Sequence, residues 1–377
     1  MTSTKKDPVL VVLQLAGGND ALNTVVPYGN PKYFDNRANV VVPEDQVLPI
    51  DDQVGFNPNM SPMKRIFDEG KMAVIQGVGY PTASRSHFRS MDIWHTCEPT
   101  KIGDEGWLGR TVRDLDPQGE NVLTAVNFGR GLPRALVAPG VAAASVGNLE
   151  TYGVLTGIDD TDQRLKALDV FSKVYSPMIG TGPVMDYLAH TGLDALKGAD
   201  ILSEAPGMYS STVEYGGDTV SQYMRNIVQT HLAGFGTRVL YTTAPFNSFD
   251  THAGQLANHT RLRTETSKAI GDFYDDLKEH NAGENVMLLV VSEFGRRVKD
   301  NGSGTDHGAG GHCFIIGDQV KGGLYGEYPS LDTDKLDDGD LMHNNDFRGV
   351  YSTILEKWTG LDAKAIVGGE FAPIAFN

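Results

Sequence analysis

The chain has 377 residues, 40% hydrophobic and 21% charged, with segments of both helical and strand periodicity, enough to bury the core of a globular protein. Its formal net charge of -16 argues against a nucleic-acid partner, because affinity for a phosphate backbone comes largely from Lys and Arg. No apolar run approaches the roughly 18 residues a membrane span needs, and Cys97 and Cys313 lack the CxxC spacing of a zinc knuckle or redox pair.

No linker-like composition divides the chain, so one α/β domain is expected, with a helical insertion or cap around residues 160–235. The first residues, MTSTKKDP, lack the apolar centre of a signal peptide. DPVLVVLQLAGGNDALN then opens with a buried strand, roughly Pro8 to Leu15. Gly17 and Gly18 turn the chain sharply and leave Asp20 at the strand's exit, as a cap of the next turn or as a ligand. Residues 30–60 are polar and proline-punctuated and read as a surface excursion with at most one short edge strand. MSPMKRIFDEG predicts a helix, with Ser61 and Pro62 at its start, and KMAVIQGVG a second buried strand.

In YPTASRSHFRSMDIWHT, Phe88, Met91 and Trp94 recur at helical spacing, which places the helix start near Ser84 or Ser86. Serine hydroxyls, free N–H groups, Arg85 and His87 are then gathered at a helix N-terminus beyond a strand, where an anion binds readily; a plain N-cap is the alternative reading. VNFGRGLPRALVAPG and VAAASVG offer two short strands. Three helical patterns follow between residues 160 and 236, and RVLYTTA is a strand that delivers PFNSFDTHAGQ. There Asp250 and His252 are two apart, so an extended loop would point both the same way, toward one ion; an Asx-turn with His252 exposed is the alternative. A long amphipathic helix through Ile270, Phe273, Tyr274 and Leu277 leads into the buried strand NVMLLVVS.

The segment Ser292–Phe314, SEFGRRVKDNGSGTDHGAGGHCF, packs Glu293, Asp306, His307 and His312 into one glycine-rich connection between two buried strands. Ligands of open α/β sheets bind beyond the carboxyl ends of strands, and Asp20, Ser84, Ser86, Asp250, His252, Glu293 and His307 all fall just after predicted strands. Carboxylates with imidazoles suit a divalent cation, and a hydroxyl beside it suits attack on phosphorus, sulfur or a carbonyl.

AGGND, SRSHFRSMDIWHT, GWLGR, FDTHAGQ, SEFGRR and TDHG, in this order, resemble the bacterial family known as domain of unknown function 1501, a sulfatase-like branch of the alkaline-phosphatase superfamily. The resemblance implies a three-layer sandwich with a central, mostly parallel, alkaline-phosphatase-like sheet. It implies a divalent metal (Zn, Mg, Mn or Ca) held by Asp20, Asp250, His252, Glu293 and His307. Ser84 or Ser86 would be the nucleophile, with Arg85 and His87 stabilising the leaving oxyanion, and the substrate would be a small-molecule or glycan ester of phosphate or sulfate. Many members of the family are exported, which implies a periplasmic or extracellular location after removal of a signal. Two features depart from the superfamily: Phe294 stands where an Asp-His pair is usual, and PTASRS keeps only the Ser-Arg of the sulfatase signature. A metal-free serine esterase and a non-catalytic binding module are therefore alternatives, the first lacking GxSxG.

Overall fold

The structure, a computed structural model, describes residues 6–149, 161–175, 179, 182, 197–245 and 247–377. The predicted helix at residues 182–199 therefore lies mostly outside the described residues. The strands are β1 (Val9–Gln14), β2 (Val25–Val26), β3 (Leu48–Pro49), β4 (Gly55–Phe56), β5 (Met72–Gly79), β6 (Ala125–Phe128), β7 (Ala144–Val146), β8 (Val239–Thr243), β9 (Val286–Val291), β10 (Gly311–Ile316), β11 (Gly323–Tyr325) and β12 (Asn345–Asp346). Among the described residues the main sheet runs β11-β5-β10-β9-β1-β8-β6-β7, with β12 also on β5. All its pairings are parallel except those of β10, which is antiparallel to both β5 and β9.

The central strands are fully buried because both faces are covered, which is why they read as continuous apolar runs. Alternate residues of β1 divide between two cores. Val9, Val11 and Leu13 join one with the helices Ser61–Asp68, Thr219–Leu232 and Gln255–Glu279. Leu10 and Val12 join the other with His87–Thr96, Trp107–Leu115, Phe347–Thr353 and Ala363–Val367. Two-residue alternation across a sheet with helices on each side produces the three layers. The helix Thr219–Leu232 belongs to the first layer, covering the sheet through Met224, Ile227 and Val228.

The antiparallel setting of β10 matters for function. It places Gly311, the start of β10, beside Val78 at the carboxyl end of β5. The connection from β9 therefore stays along the edge where β1, β5 and β8 also end.

The excursion at residues 30–60 proves to be more than surface covering. It holds β3, β4 and the helix Pro31–Asn36, and it buries Tyr33 and Arg37 completely. Arg37 reaches inward because it has a buried carboxylate to meet, that of Asp20. Cys97 and Cys313 are both buried free thiols.

Candidate metal centre

Four loops at the carboxyl edge supply the polar side chains: residues 15–20 after β1, 80–86 after β5, 244–254 after β8 and 292–310 after β9. Their close approach depends on missing side chains. A Cβ on Gly17, which has φ +117°, would lie 2.4 Å from the backbone nitrogen of Asp250, and one on Gly295 would lie 1.9 Å from the carbonyl oxygen of Gly310.

Arg296 ties three of these loops together from beneath. Its guanidinium is fully buried and donates to the carbonyls of Gly17, Gly18 (2.7 Å), Thr305 (3.0 Å) and Phe249 (3.0 Å), and to Asp250 Oδ1 (2.7 Å). The glycine-rich loop is thus packed by protein contacts, including a bridge between Arg296 and His307 and a hydrogen bond from Arg37 Nη2 to the Arg297 carbonyl.

Above Arg296 lies a cluster of imidazoles around Asp250. Ligand atoms of His87, Asp250 and His307 all fall within 4.8 Å of one another. His87 Nε2 is 3.3 Å from Asp250 Oδ2, and His307 Nε2 is 3.1 Å from Asp250 Oδ1. His252 Nε2 is 3.1 Å from the same Oδ1 and 2.9 Å from His307 Nε2. Glu293 stands behind this group, its Oε1 2.8 Å from His87 Nδ1.

Hydrogen-bond partners assign the ring protons. His307 Nδ1 is 2.8 Å from the Arg85 carbonyl, which can only accept, so Nδ1 carries the proton. His87 Nδ1 faces Glu293, and His252 Nδ1 faces Asp306 Oδ1 at 3.0 Å, so both donate outward to carboxylates. In the neutral rings every Nε2 is then a bare lone pair, and all three lie at the Asp250 carboxylate. Lone pairs and an anion crowded together with no proton between them form an arrangement that a bound cation would relieve. His87 Nε2 is moreover buried without any hydrogen-bond partner.

The charges of the groups fit such an ion. Burial alone would raise the Asp250 carboxyl, but the Arg296 guanidinium hydrogen-bonded to it, together with the imidazoles beside it, outweighs burial and holds it at about 2. Burial lowers the His307 pKa, keeping that ring neutral. The hydrogen bond to Glu293 raises the His87 pKa, making the ring a more basic donor. Imidazole nitrogens with one carboxylate oxygen form a donor set suited to zinc or another borderline divalent cation.

Of the residues singled out in the sequence, the structure gathers His87, Asp250, His252, Glu293 and His307. It does not bring Asp20 to them. Both oxygens of Asp20 are taken by Arg37 (2.6 and 2.9 Å), and Oδ2 also by Gln255 Nε2 (2.6 Å), in a fully buried ion pair. Arg85 meets the cluster through its carbonyl, while its guanidinium is held by Asp338 (3.1 Å) and Asp340 (2.8 Å). Ser86 is the N-cap of the helix His87–Thr96, and its exposed side chain makes no capping bond. Ser84 Oγ accepts from the Ser86 amide at 3.2 Å. His312 is buried on β10, with Nδ1 3.4 Å from the Gly77 amide and Nε2 without a partner.

Sequence reasoning missed Gln14 and His95, whose Oε1 and Nε2 are 2.8 Å apart. The spacing of His87, Met91 and His95 at i, i+4 and i+8 was the available signal, since it puts all three on one helix face.

Fold and cluster together define a three-layer α/β protein with a histidine-rich candidate metal centre at the carboxyl edge of its sheet. Residues 7–370 match the family model described as "Protein of unknown function (DUF1501)", and the chain belongs to that family. No curated protein matches the sequence. Among solved structures, a protein in the alkaline phosphatase superfamily from Vibrio parahaemolyticus is similar at 10% identity and a TM-score of 0.42, over 97% of this chain and 69% of that one. The PsFucS1 sulfatase from Pseudoalteromonas sp. is similar at 11% identity and a TM-score of 0.42, over 98% and 71%. The zinc complex of the C-terminal periplasmic domain of EcEptC from Escherichia coli is similar at 8% identity and a TM-score of 0.39, over 84% and 75%. Likenesses this distant carry nothing about activity, and the chemistry rests on this chain's own residues. No helix among the described residues is long and apolar enough to cross a membrane.

Proposed function

We propose that the protein is a metal-dependent hydrolase of phosphate or sulfate esters. One observation carries the reading: ligand atoms of His87, Asp250 and His307 lie within 4.8 Å of one another, and the His87 nitrogen among them is buried with no hydrogen-bond partner. These three residues would hold the ion, with His252 at its exposed side and Glu293 and Asp306 orienting the imidazoles from behind. When bound, the ion would supply Lewis-acid activation of an ester oxygen and of a nearby hydroxyl.

The protein's own contribution is a nucleophile and an anion-binding edge. Ser86 directly precedes His87, its hydroxyl is exposed and uncommitted, and the amides of the first helical turn lie beside it. A helix N-terminus of this kind binds a tetrahedral oxyanion through backbone N–H groups. Ser84 is engaged with the Ser86 amide, so Ser86 is the favoured nucleophile. A metal-free serine esterase would need an imidazole hydrogen-bonded to Ser84 or Ser86. Among the described residues neither serine has one, since His87 Nδ1 bonds Glu293 and His307 Nδ1 bonds the Arg85 carbonyl.

The test is metal analysis of the purified protein together with turnover of phosphomonoester, phosphodiester and sulfate-ester panels with added divalent cations. Stoichiometric metal, turnover abolished by chelation and strong loss in Ser86→Ala are expected. No bound metal, and no turnover with any of the cations, would rule the reading out.

A further inference from the structure

A cavity of about 390 Å³ opens beside the cluster, above the ends of β1, β6 and β8 and between the two helical layers. Its walls include Met91 and His95 from the helix that carries His87, Ala16 from the loop that carries Gly17, and Thr219 and Tyr223 from the opposite layer. Cavity and cluster therefore share the helix face of His87, Met91 and His95. They also share the β1 loop, where the Gly17 amide donates to Glu293 Oε1 at 2.8 Å.

The lining has an unusual electrical character for a chain with a net charge of -16. No acidic side chain lines the cavity among the described residues, while Arg130 does so, exposed and free of any ion pair or hydrogen bond to them. Apolar surface comes from Met91, Leu132, Pro133 and Pro245. Gln14 is 3% exposed, and its orientation is fixed by its neighbours. Its Oε1 faces both the Tyr241 hydroxyl and His95 Nε2, the latter at 2.8 Å. With the Tyr241 hydroxyl donating to Oε1, Nε2 lies on the other side of the amide. There it is buried and has no partner. An unsatisfied buried donor is costly, typically about 1–3 kcal/mol, and is explained when a ligand or ordered water supplies the acceptor.

We infer that this cavity is a binding site for a small hydroxylated carboxylate of sugar-acid size, with its carboxylate on Arg130 and a ring or hydroxyl oxygen accepting from Gln14 Nε2. Arg pairs with a carboxylate through parallel N–H bonds, a geometry that a neutral hydroxymethyl group does not offer. As the leaving-group subsite of an ester hydrolase, this site depends on the function proposed above. As a binding site it does not.

The two are separated by titrating D-glucuronate and D-glucose into the full-length protein calorimetrically, before and after metal removal by chelation. These sugars differ only in carrying a carboxylate or a hydroxymethyl group at one carbon. Saturable glucuronate binding, at least about tenfold tighter than that of glucose and retained after chelation, is expected. Arg130→Ala, at an exposed position, should reduce glucuronate to the level of glucose. Gln14→Glu keeps an acceptor for Tyr241 and His95 but replaces the donor with a carboxylate oxygen, and should weaken glucuronate at least about tenfold in protein that circular dichroism shows to be folded. Absence of glucuronate binding, equal affinity for both sugars, or an unaltered Arg130→Ala protein would each overturn the inference. Binding without ester hydrolysis would uphold the site and reject the hydrolase reading alone.

Discussion

His87 Nδ1 and Glu293 Oε1 lie 2.8 Å apart, joining two loops separated by 206 positions in the chain. The same oxygen accepts the Gly17 amide, also at 2.8 Å, so the carboxylate is fixed before it acts on the ring. A fixed acceptor at Nδ1 sets the tautomer and turns Nε2 toward Asp250. In the function proposed above, the histidine would be the ligand and the glutamate its support.

Glu293→Gln keeps an acceptor for His87 but removes its charge. Zinc affinity is expected to fall by about 10–100-fold. Because Glu293 raises the His87 pKa, a proton competes with the ion for Nε2, and affinity should decline as pH falls through that raised value. In the variant the decline should begin at lower pH. Chelator-competition titrations across pH measure both effects, and identical curves for the two proteins would contradict the assignment.

Asp20→Ala separates a structural carboxylate from a ligand. Removing it leaves Arg37 charged and unpaired in a fully buried site, which typically costs about 3–5 kcal/mol. Urea unfolding should show that loss, while the zinc affinity of the folded fraction stays at the wild-type level. A stable variant with impaired zinc binding would place Asp20 on the metal after all.

Much of this arrangement could be read in the residues. The strand runs were legible because two covered faces demand continuous apolar, β-branched sequence, and the polar residues after them were legible because the sheet's carboxyl edge collects them. The roles within the cluster were not. Whether His87 or Glu293 faces an ion depends on which ring nitrogen meets the carboxylate, and nothing in local spacing encodes that. The place of Asp20 was hidden for a similar reason: its partner Arg37 comes from a polar segment whose burial depends on tertiary packing. Arg296 showed only as one of the two arginines of SEFGRR, although its fork of donors organises three loops.

Acid should destabilise the protein through its buried histidines. Burial lowers both His95 and His312 from 6.5 to about 4, so between these values the unfolded chain binds protons that the folded protein excludes. Their contribution to stability is complete above about pH 6.5 and is lost as pH falls from there through 4, with a slope of up to about 1.4 kcal/mol per pH unit for each ring. His312→Asn, which keeps an acceptor for the Gly77 amide, should flatten the slope by about one proton. Urea unfolding at stepped pH provides the comparison, and an unchanged slope would show that His312 titrates normally in the fold.

Arg296→Lys tests what holds the glycine-rich loop. Lysine cannot span the four carbonyls and Asp250, so a loss of about 3–5 kcal/mol is expected, together with protease cleavage between residues 297 and 306. Chelation of the wild-type protein should lower its melting temperature by mass action while leaving that segment resistant, because Arg37 and Arg296 still hold it. Cleavage on chelation alone would assign the loop's order to the ion.

X-ray absorption of the zinc-loaded protein addresses the metal centre most directly. With one equivalent of zinc bound, the wild-type spectrum should show a shell of nitrogen and oxygen at about 2.0–2.1 Å with outer-shell imidazole scattering, and His87→Ala should lose part of that scattering. A protein that takes up no stoichiometric zinc, or a His87→Ala spectrum indistinguishable from wild type, would contradict the assignment of His87, Asp250 and His307 as the metal site.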